Sequence, residues 1–210
     1  MAVAATTGSA PPPKRGQLCL ILGPMGAGKT SHAAWRFSKY GRDARNVLVW
    51  LHNPLDTRAQ AAEAVNTHNG PLKIAGLYLT ASKSAATGKP DLAAVWFPPR
   101  TTHVFVDEVQ FYDRAAVRDV ILDKWVRQLG LTVFCIGLLT NKDREIWPST
   151  QLLLLYADKI TFLHAKCSCG MAAGHTRAVS SAAAEAAGGQ ICVGGMKEYE
   201  AACINCHPAQ

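Results

Sequence analysis

Residues 23–30 read Gly23-Pro24-Met25-Gly26-Ala27-Gly28-Lys29-Thr30. This is the spacing G-x-x-x-x-G-K-[ST], in which glycines let a short loop wrap a polyphosphate with its backbone N–H groups turned inward. Lys29 neutralises charge there, and the Thr30 hydroxyl is suited to ligate Mg²⁺. The loop follows the apolar run Leu18-Cys19-Leu20-Ile21-Leu22, so a buried strand leads into it and the ligand implied is a nucleoside triphosphate. A second pair of reactive groups, Asp107-Glu108, closes the run Thr102-His103-Val104-Phe105-Val106. An acidic residue at the C-terminal end of a buried strand is where a phosphate-loop protein holds Mg²⁺, and Asp107 takes that role. Successive strand side chains point opposite ways, so Glu108 is expected to face a second substrate as general base. In-line phosphoryl transfer needs a fixed donor, neutralised charge and an aligned acceptor with a base beside it. The two motifs supply all of these except the acceptor pocket.

Those groups need a scaffold. Apolar runs of strand length recur at 17–22, 46–51, 102–106, 131–137 and 159–164, with segments between them long enough for crossovers, the pattern of a parallel sheet with covering helices. Residues 29–40 carry Ala33, Ala34 and Phe37 at helical spacing, with Gly41 as the expected stop. The phosphate loop therefore opens onto a helix N-terminus, whose partial positive charge complements phosphate oxygens. The stretch 80–100 reads as a variable connection. The expected fold class is α/β, a P-loop NTPase-type parallel sheet flanked by helices, with a small C-terminal zinc-binding domain. Its expected parts are a disordered tail at 1–16, the ATP-binding domain at 17–165 and the zinc-binding domain at 166–210.

No apolar stretch in the 210 residues approaches the roughly 18 that suggest a membrane span. The segment MAVAATTGSAPPPKRG lacks a signal-peptide apolar core, so a cytoplasmic location without membrane attachment is the default. The formal charge of +7 invites a nucleic-acid partner. Its distribution argues against one, because from Lys166 onward Lys166, Arg177 and Lys197 are cancelled by Glu185, Glu198 and Glu200. Four of the seven cysteines form the late pairs Cys167-Ser168-Cys169 and Cys203-Ile204-Asn205-Cys206. Without a secretory signal these read as Zn²⁺ ligands rather than disulfides. Cys19, Cys135 and Cys192 sit in apolar runs and read as buried small hydrophobes. His32, His52, His68, His103, His164 and His175 show no usable ligand spacing.

At this point a resemblance becomes specific. Gly-Pro-Met-x-x-Gly-Lys-Thr at 23–30, Asp56-Thr57-Arg58 after the second strand run, Asp107-Glu108-x-Gln110-Phe111 and the late cysteine pairs together resemble the type II (cellular-type) thymidine kinase family. The segments 137–147 and Gly194-Gly195-Met196-Lys197-Glu198-Tyr199 are similar to that family as well. The resemblance implies transfer of the ATP γ-phosphoryl group to the 5′-hydroxyl of thymidine, and of deoxyuridine, in nucleotide salvage. It puts Glu108 at the catalytic base, Asp56 and Arg58 near the phosphates and acceptor, and Gln110 with the nucleotide-binding residues. Met25, Phe111, Trp147, Thr176 and Tyr199 fall at positions lining the thymine pocket. A flexible lasso over about 170–199 would close on the base, and the family's habit of forming tetramers is the expected assembly.

Two departures stand out. The first cysteine pair is Cys167-Ser168-Cys169, one residue shorter than the family's C-x-x-C; tetrahedral coordination by Cys167, Cys169, Cys203 and Cys206 remains feasible, with His207 as a substitute ligand. Lys142 stands where the family commonly has an aromatic near the base. The competing reading is a zinc-stabilised phosphate-loop protein that acts on another nucleoside or on nucleic acid.

Overall fold

The five apolar runs form strands of one sheet: the inner ones are apolar on both faces because helices cover both, whereas the 159–164 run lies at an edge and is largely exposed. The computed structural model describes residues 15–56, 63–67, 70–179 and 198–207. In chain order the elements begin with β1 (Gln17–Leu22), α1 (Lys29–Gly41), β2 (Leu48–His52), the short strands β3 (Val65–Thr67) and β4 (Gly70–Leu72), and β5 (Leu77–Thr80). The short strands β6 (Ser82–Lys83) and β7 (Pro90–Asp91) precede β8 (His103–Val106), a 3₁₀ turn (Val109–Phe111) and α2 (Arg114–Ala116), which continues as a π-helical stretch (Val117–Gln128). Then come β9 (Thr132–Gly137), α3 (Pro148–Leu154), β10 (Lys159–Phe162), β11 (Ala165–Lys166), β12 (Ala172–Ala173), β13 (His175–Ala178) and β14 (Tyr199–Ala202).

The main sheet has six strands in the order β10-β1-β9-β8-β2-β5. Every neighbouring pair is parallel. Residue parity divides its core. Leu18, Leu20, Leu22, Val104, Val106, Val133 and Cys135 face Val117, Ile121 and Trp125 of the π-helical stretch and Leu152 and Leu153 of α3. Cys19, Ile21, Trp50, Phe105, Phe134 and Ile136 face Ala33, Ala34 and Phe37 of α1. On that second face Phe105 stacks on Phe134 at 4.4 Å and on Trp50 at 5.6 Å. Phe37 meets Phe105 edge-on at 5.1 Å, an arrangement that suits the ring quadrupoles. Cys19 and Cys135 are buried as expected, and burial pushes both thiols up; Cys192 lies outside the described residues.

The structure corrects the reading of the middle of the chain. Leu77–Thr80 is a sixth parallel strand on the β2 edge, with an apolar run of only three residues, Leu77-Tyr78-Leu79, and every residue exposed or half-buried. Within the stretch expected as a variable connection, Leu92 is fully buried and Phe97 packs on Trp125 at 4.8 Å. Helix α1 includes Gly41, and its C-cap is Arg42. Among the described residues no helix is long and apolar enough to cross a membrane.

Candidate active site

In a parallel α/β sheet the crevice for ligands lies beyond the carboxyl ends of the strands. Here the ends of the adjacent strands β1, β9, β8 and β2 carry the candidate residues. The loop after β1 turns through Gly26 (φ 71°) and Gly28 (φ 75°), both left-handed, a conformation glycine adopts at little steric cost. Gly28 is the N-cap of α1; no side chain caps the helix, and its first turn has no acidic residue. First-turn N–H groups of this kind are ready donors to an anion. Lys29 curls over the loop and its Nζ donates to the Pro24 carbonyl at 2.8 Å. The Met25 N–H donates to Thr176 Oγ1 at 3.0 Å, joining the phosphate loop to β13 across 151 residues.

Asp107 is 4 % exposed at the end of β8, two strands from β1 or roughly 10 Å at the usual inter-strand spacing. Strand alternation was expected to place Glu108; instead a turn just past the strand places it. Its backbone is left-handed, φ 49° and ψ 49°, which costs a non-glycine residue about 1 kcal/mol or more. Hydrogen bonds at its backbone and its side chain hold it there, one of them from the Phe111 N–H to its carbonyl at 3.1 Å. Its N–H donates to Asp107 Oδ1 at 3.0 Å, its carbonyl accepts from Asn53 Nδ2 at 3.1 Å, and its Oε2 accepts from Gln110 Nε2 at 2.6 Å. Gln110 was expected among the nucleotide ligands, yet it is 3 % exposed and its Oε1 accepts the Leu138 N–H at 3.1 Å. A Cβ on Gly137 would collide with that Oε1, so the missing side chain at 137 lets the Gln110 amide turn inward toward Glu108.

The four late cysteines converge, with all their Sγ atoms within 4.8 Å of one another. Cys169 Sγ and Cys203 Sγ are 3.6 Å apart, close to the edge of about 3.8 Å expected of a tetrahedron with Zn–S near 2.3 Å. The short Cys-x-Cys spacing therefore does not prevent convergence. Backbone N–H groups, first that of Cys169 and then that of Cys203, hold the Cys167 thiol down at about 6, which favours the thiolate a metal needs. This donor set fits Zn²⁺. His207 is turned elsewhere, its Nε2 3.0 Å from the Lys142 carbonyl, and the cluster forms without it. Arg177 ties the cluster to the hairpin: its Nη1 donates to the Cys206 carbonyl at 2.7 Å and its Nε to Glu200 Oε1 at 2.6 Å.

Comparison with known proteins gives this geometry its context. A family model described as Thymidine kinase matches residues 16–207. A thymidine kinase of Yersinia pseudotuberculosis is 34 % identical over 189 residues, covering 89 % of this chain and 92 % of that protein. Thymidine kinases of Pyrobaculum aerophilum and Pseudothermotoga lettingae are 31 % and 29 % identical, covering 89 % and 91 % of this chain and 95 % of each relative. The chain belongs to the thymidine kinase family. It is accordingly an enzyme of the phosphotransferase class, on a parallel α/β sheet with a cysteine cluster beside it.

For a thymidine kinase the remaining question is what could receive the nucleoside. Phe111 and Trp147 meet edge-to-face at 5.8 Å and 83°, both half-buried. Ser149 Oγ donates to the Gln110 carbonyl at 3.2 Å, binding the start of α3 to the Glu108 turn. Thr176 pairs with Ala201 and Ala178 with Tyr199 across the β13–β14 hairpin, so Thr176 and Tyr199 share one face while Arg177 and Glu200 occupy the other. Thr176 is buried through its bond to Met25. Lys142 donates from Nζ to Asp143 Oδ1 at 2.8 Å. Asp56 lies at the end of the turn after β2, its N–H donating to the Asn53 carbonyl at 3.0 Å. Arg58 and residues 180–197, most of the expected lasso, lie outside the described residues. The motif reading missed Asn53 and Arg177. Asn53-Pro54 carries the signature of a turn, whereas Arg177 was counted only as surface charge.

Proposed function

We propose that this thymidine kinase transfers the γ-phosphoryl group of ATP to the 5′-hydroxyl of thymidine, and also accepts deoxyuridine. The observation that carries the reading is the convergence, in a chain matched by the thymidine kinase family over residues 16–207, of an uncapped glycine loop at β1 and a clamped carboxylate past β8. The loop N–H groups and Lys29 would hold the β- and γ-phosphates. Thr30 and Asp107 would hold Mg²⁺, which when bound neutralises charge between the phosphates. Glu108 would take the proton of the incoming hydroxyl, aided by Asp56 and Arg58 around the acceptor. Met25, Phe111, Trp147, Thr176 and Tyr199 would enclose the base.

On this reading residues 17–165 bind nucleotide, residues 166–210 close over the nucleoside with Zn²⁺ held by Cys167, Cys169, Cys203 and Cys206, residues 1–16 are a tail, and the protein works as a cytoplasmic homotetramer. ADP release from MgATP tests the activity. Thymidine is expected to raise it strongly and DNA far less, and a panel of nucleosides with the same ATP defines the acceptor range. Stimulation by DNA that thymidine does not affect would sink the proposal.

A further inference from the structure

Glu108 and the turn that carries Asp56 both bond to one buried residue outside every motif, Glu108 and Leu55 through its side chain and Asp56 through its backbone carbonyl. Asn53 is the first residue past β2 and is 1 % exposed. Strands β2 and β8 are neighbours, with Leu51 opposite Val106, so the register brings residue 53 beside residue 108. Three polar groups of Asn53 are engaged. Its carbonyl accepts the Asp56 N–H at 3.0 Å, its Oδ1 accepts the Leu55 N–H at 2.9 Å, and its Nδ2 donates to the Glu108 carbonyl at 3.1 Å.

An amide is the side chain suited to this place, since one end accepts, the other donates and neither carries charge. Aspartate would keep the acceptor for Leu55 but set an oxygen against the Glu108 carbonyl. Serine would be too short to reach it. The bond to that carbonyl matters because Glu108 is left-handed. Relaxation of φ to negative values would swing both the carbonyl and the side chain, and the Asn53 amide, together with the Phe111 N–H at 3.1 Å, holds the carbonyl against that rotation. Gln110 fixes the far end of the same residue through Oε2.

We infer that Asn53 is a positioning residue for phosphoryl transfer: it sets the Glu108 carboxylate and the Asp56 turn relative to each other across the ends of β2 and β8. The inference rests on the reading of Glu108 as the base. Asn53 bonds to no atom of the phosphate loop, whose strand is three places away in the sheet, so ATP binding is separable from its action.

Asn53→Asp and Asn53→Ser, made in the full chain, provide the test. Both are expected to lower kcat by roughly 10- to 100-fold, the size of a small misplacement of a reacting group, with the Kd of a non-hydrolysable ATP analogue changed less than about threefold. In a Glu108→Gln background, adding Asn53→Asp is expected to cost little more, because a residue that acts through Glu108 has nothing left to position. The inference is overturned if both single variants keep kcat within about twofold. It is overturned equally if Asn53→Asp costs as much without Glu108 as with it, or if kcat, analogue affinity and the unfolding midpoint fall in step. Undiminished turnover in Glu108→Gln alone would instead remove the base, and with it the route by which Asn53 acts. A Glu108-dependent enzyme indifferent to Asn53 overturns this inference alone.

Discussion

At the carboxyl ends of β1, β9, β8 and β2 the candidate groups stand on strands buried on both faces, whereas Thr176 and Tyr199 stand on a two-stranded hairpin beside a cluster of Cys167, Ala173 and Cys203. The first region is organised by apolar burial, and hydrogen bonds from Asn53 and Gln110 hold a strained Glu108 at its edge. The second has little apolar surface to bury, and two of the three residues at its centre are candidate metal ligands. Its order depends on the thiols, on the Arg177 bonds to Glu200 and the Cys206 carbonyl, on the bond from Met25 to Thr176 and on that between His207 and the Lys142 carbonyl. The contrast teaches that chemistry and enclosure are built separately and should fail separately.

The largest expected effect falls on the sheet side. Glu108→Gln should retain ATP binding and lower turnover by roughly 10² to 10⁴, the usual contribution of a general base. Steady-state kinetics with a parallel analogue titration decides it, and unchanged kcat would take Glu108 out of the mechanism. In stability, Phe105→Ala should cost about 3 to 5 kcal/mol, because the ring is fully buried between Trp50 and Phe134. Urea unfolding measures that loss.

Removing the metal probes the other side of the comparison. Chelation, or Cys203→Ser, should release one zinc per chain, open residues 166–207 to proteolysis and abolish most thymidine-dependent turnover. The main unfolding transition of the sheet should persist, since the metal's binding energy goes into folding its own module. Freshly prepared protein with well under one zinc per chain would count against the site. Loss of the sheet transition on chelation would break the separation itself.

The bond from Met25 to Thr176 gives a smaller effect. Thr176→Val keeps the shape but leaves the Met25 N–H without its acceptor, and an unsatisfied buried donor costs about 1 to 3 kcal/mol. The Kd of an ATP analogue should rise by roughly fivefold or more, while Thr176→Ser, which retains the oxygen, should stay near the parent. Equal behaviour of valine and serine would mean that the hairpin does not shape the phosphate loop.

The same contrast explains how much was legible in the sequence. Gly23 to Thr30 and the strand runs could be read because their signals are local, glycine spacing and apolar periodicity. Strand β5 was not picked out, since its apolar run, Leu77-Tyr78-Leu79, is only three residues long and short of a strand signal. The turn that places Glu108 was hidden for another reason: one partner of its carbonyl, Asn53, is 55 residues away. Gln110 was read as a nucleotide ligand from its motif. Its inward turn depends on the absence of a side chain at Gly137, a packing fact that periodicity does not carry. The cysteine pairs were legible by type, and their convergence required the hairpin.

The smallest expected effect is a pH dependence of the sheet side. His52 is 3 % exposed at the end of β2, its Nε2 has no hydrogen-bond partner, and its ring stacks on Tyr78 at 5.9 Å. Burial pushes its pKa down, with Asp56 opposing the shift. Burial lowers His103 in the same direction. For a histidine whose folded pKa is depressed, the unfolded chain takes up a proton near pH 6.5 while the folded chain still refuses it. Stability is therefore full above about 6.5 and is lost as pH falls below it, by at most about 1.4 kcal/mol per pH unit for each such group. Urea midpoints measured from pH 8 downward should be level and then decline. His52→Leu should make the decline shallower, leaving the share that belongs to His103 and to His32 and His175, whose pKa values burial also lowers. A variant as acid-sensitive as the parent would show that His52 is not what acid attacks, and that the strand end bearing Asn53 tolerates a charge beside it.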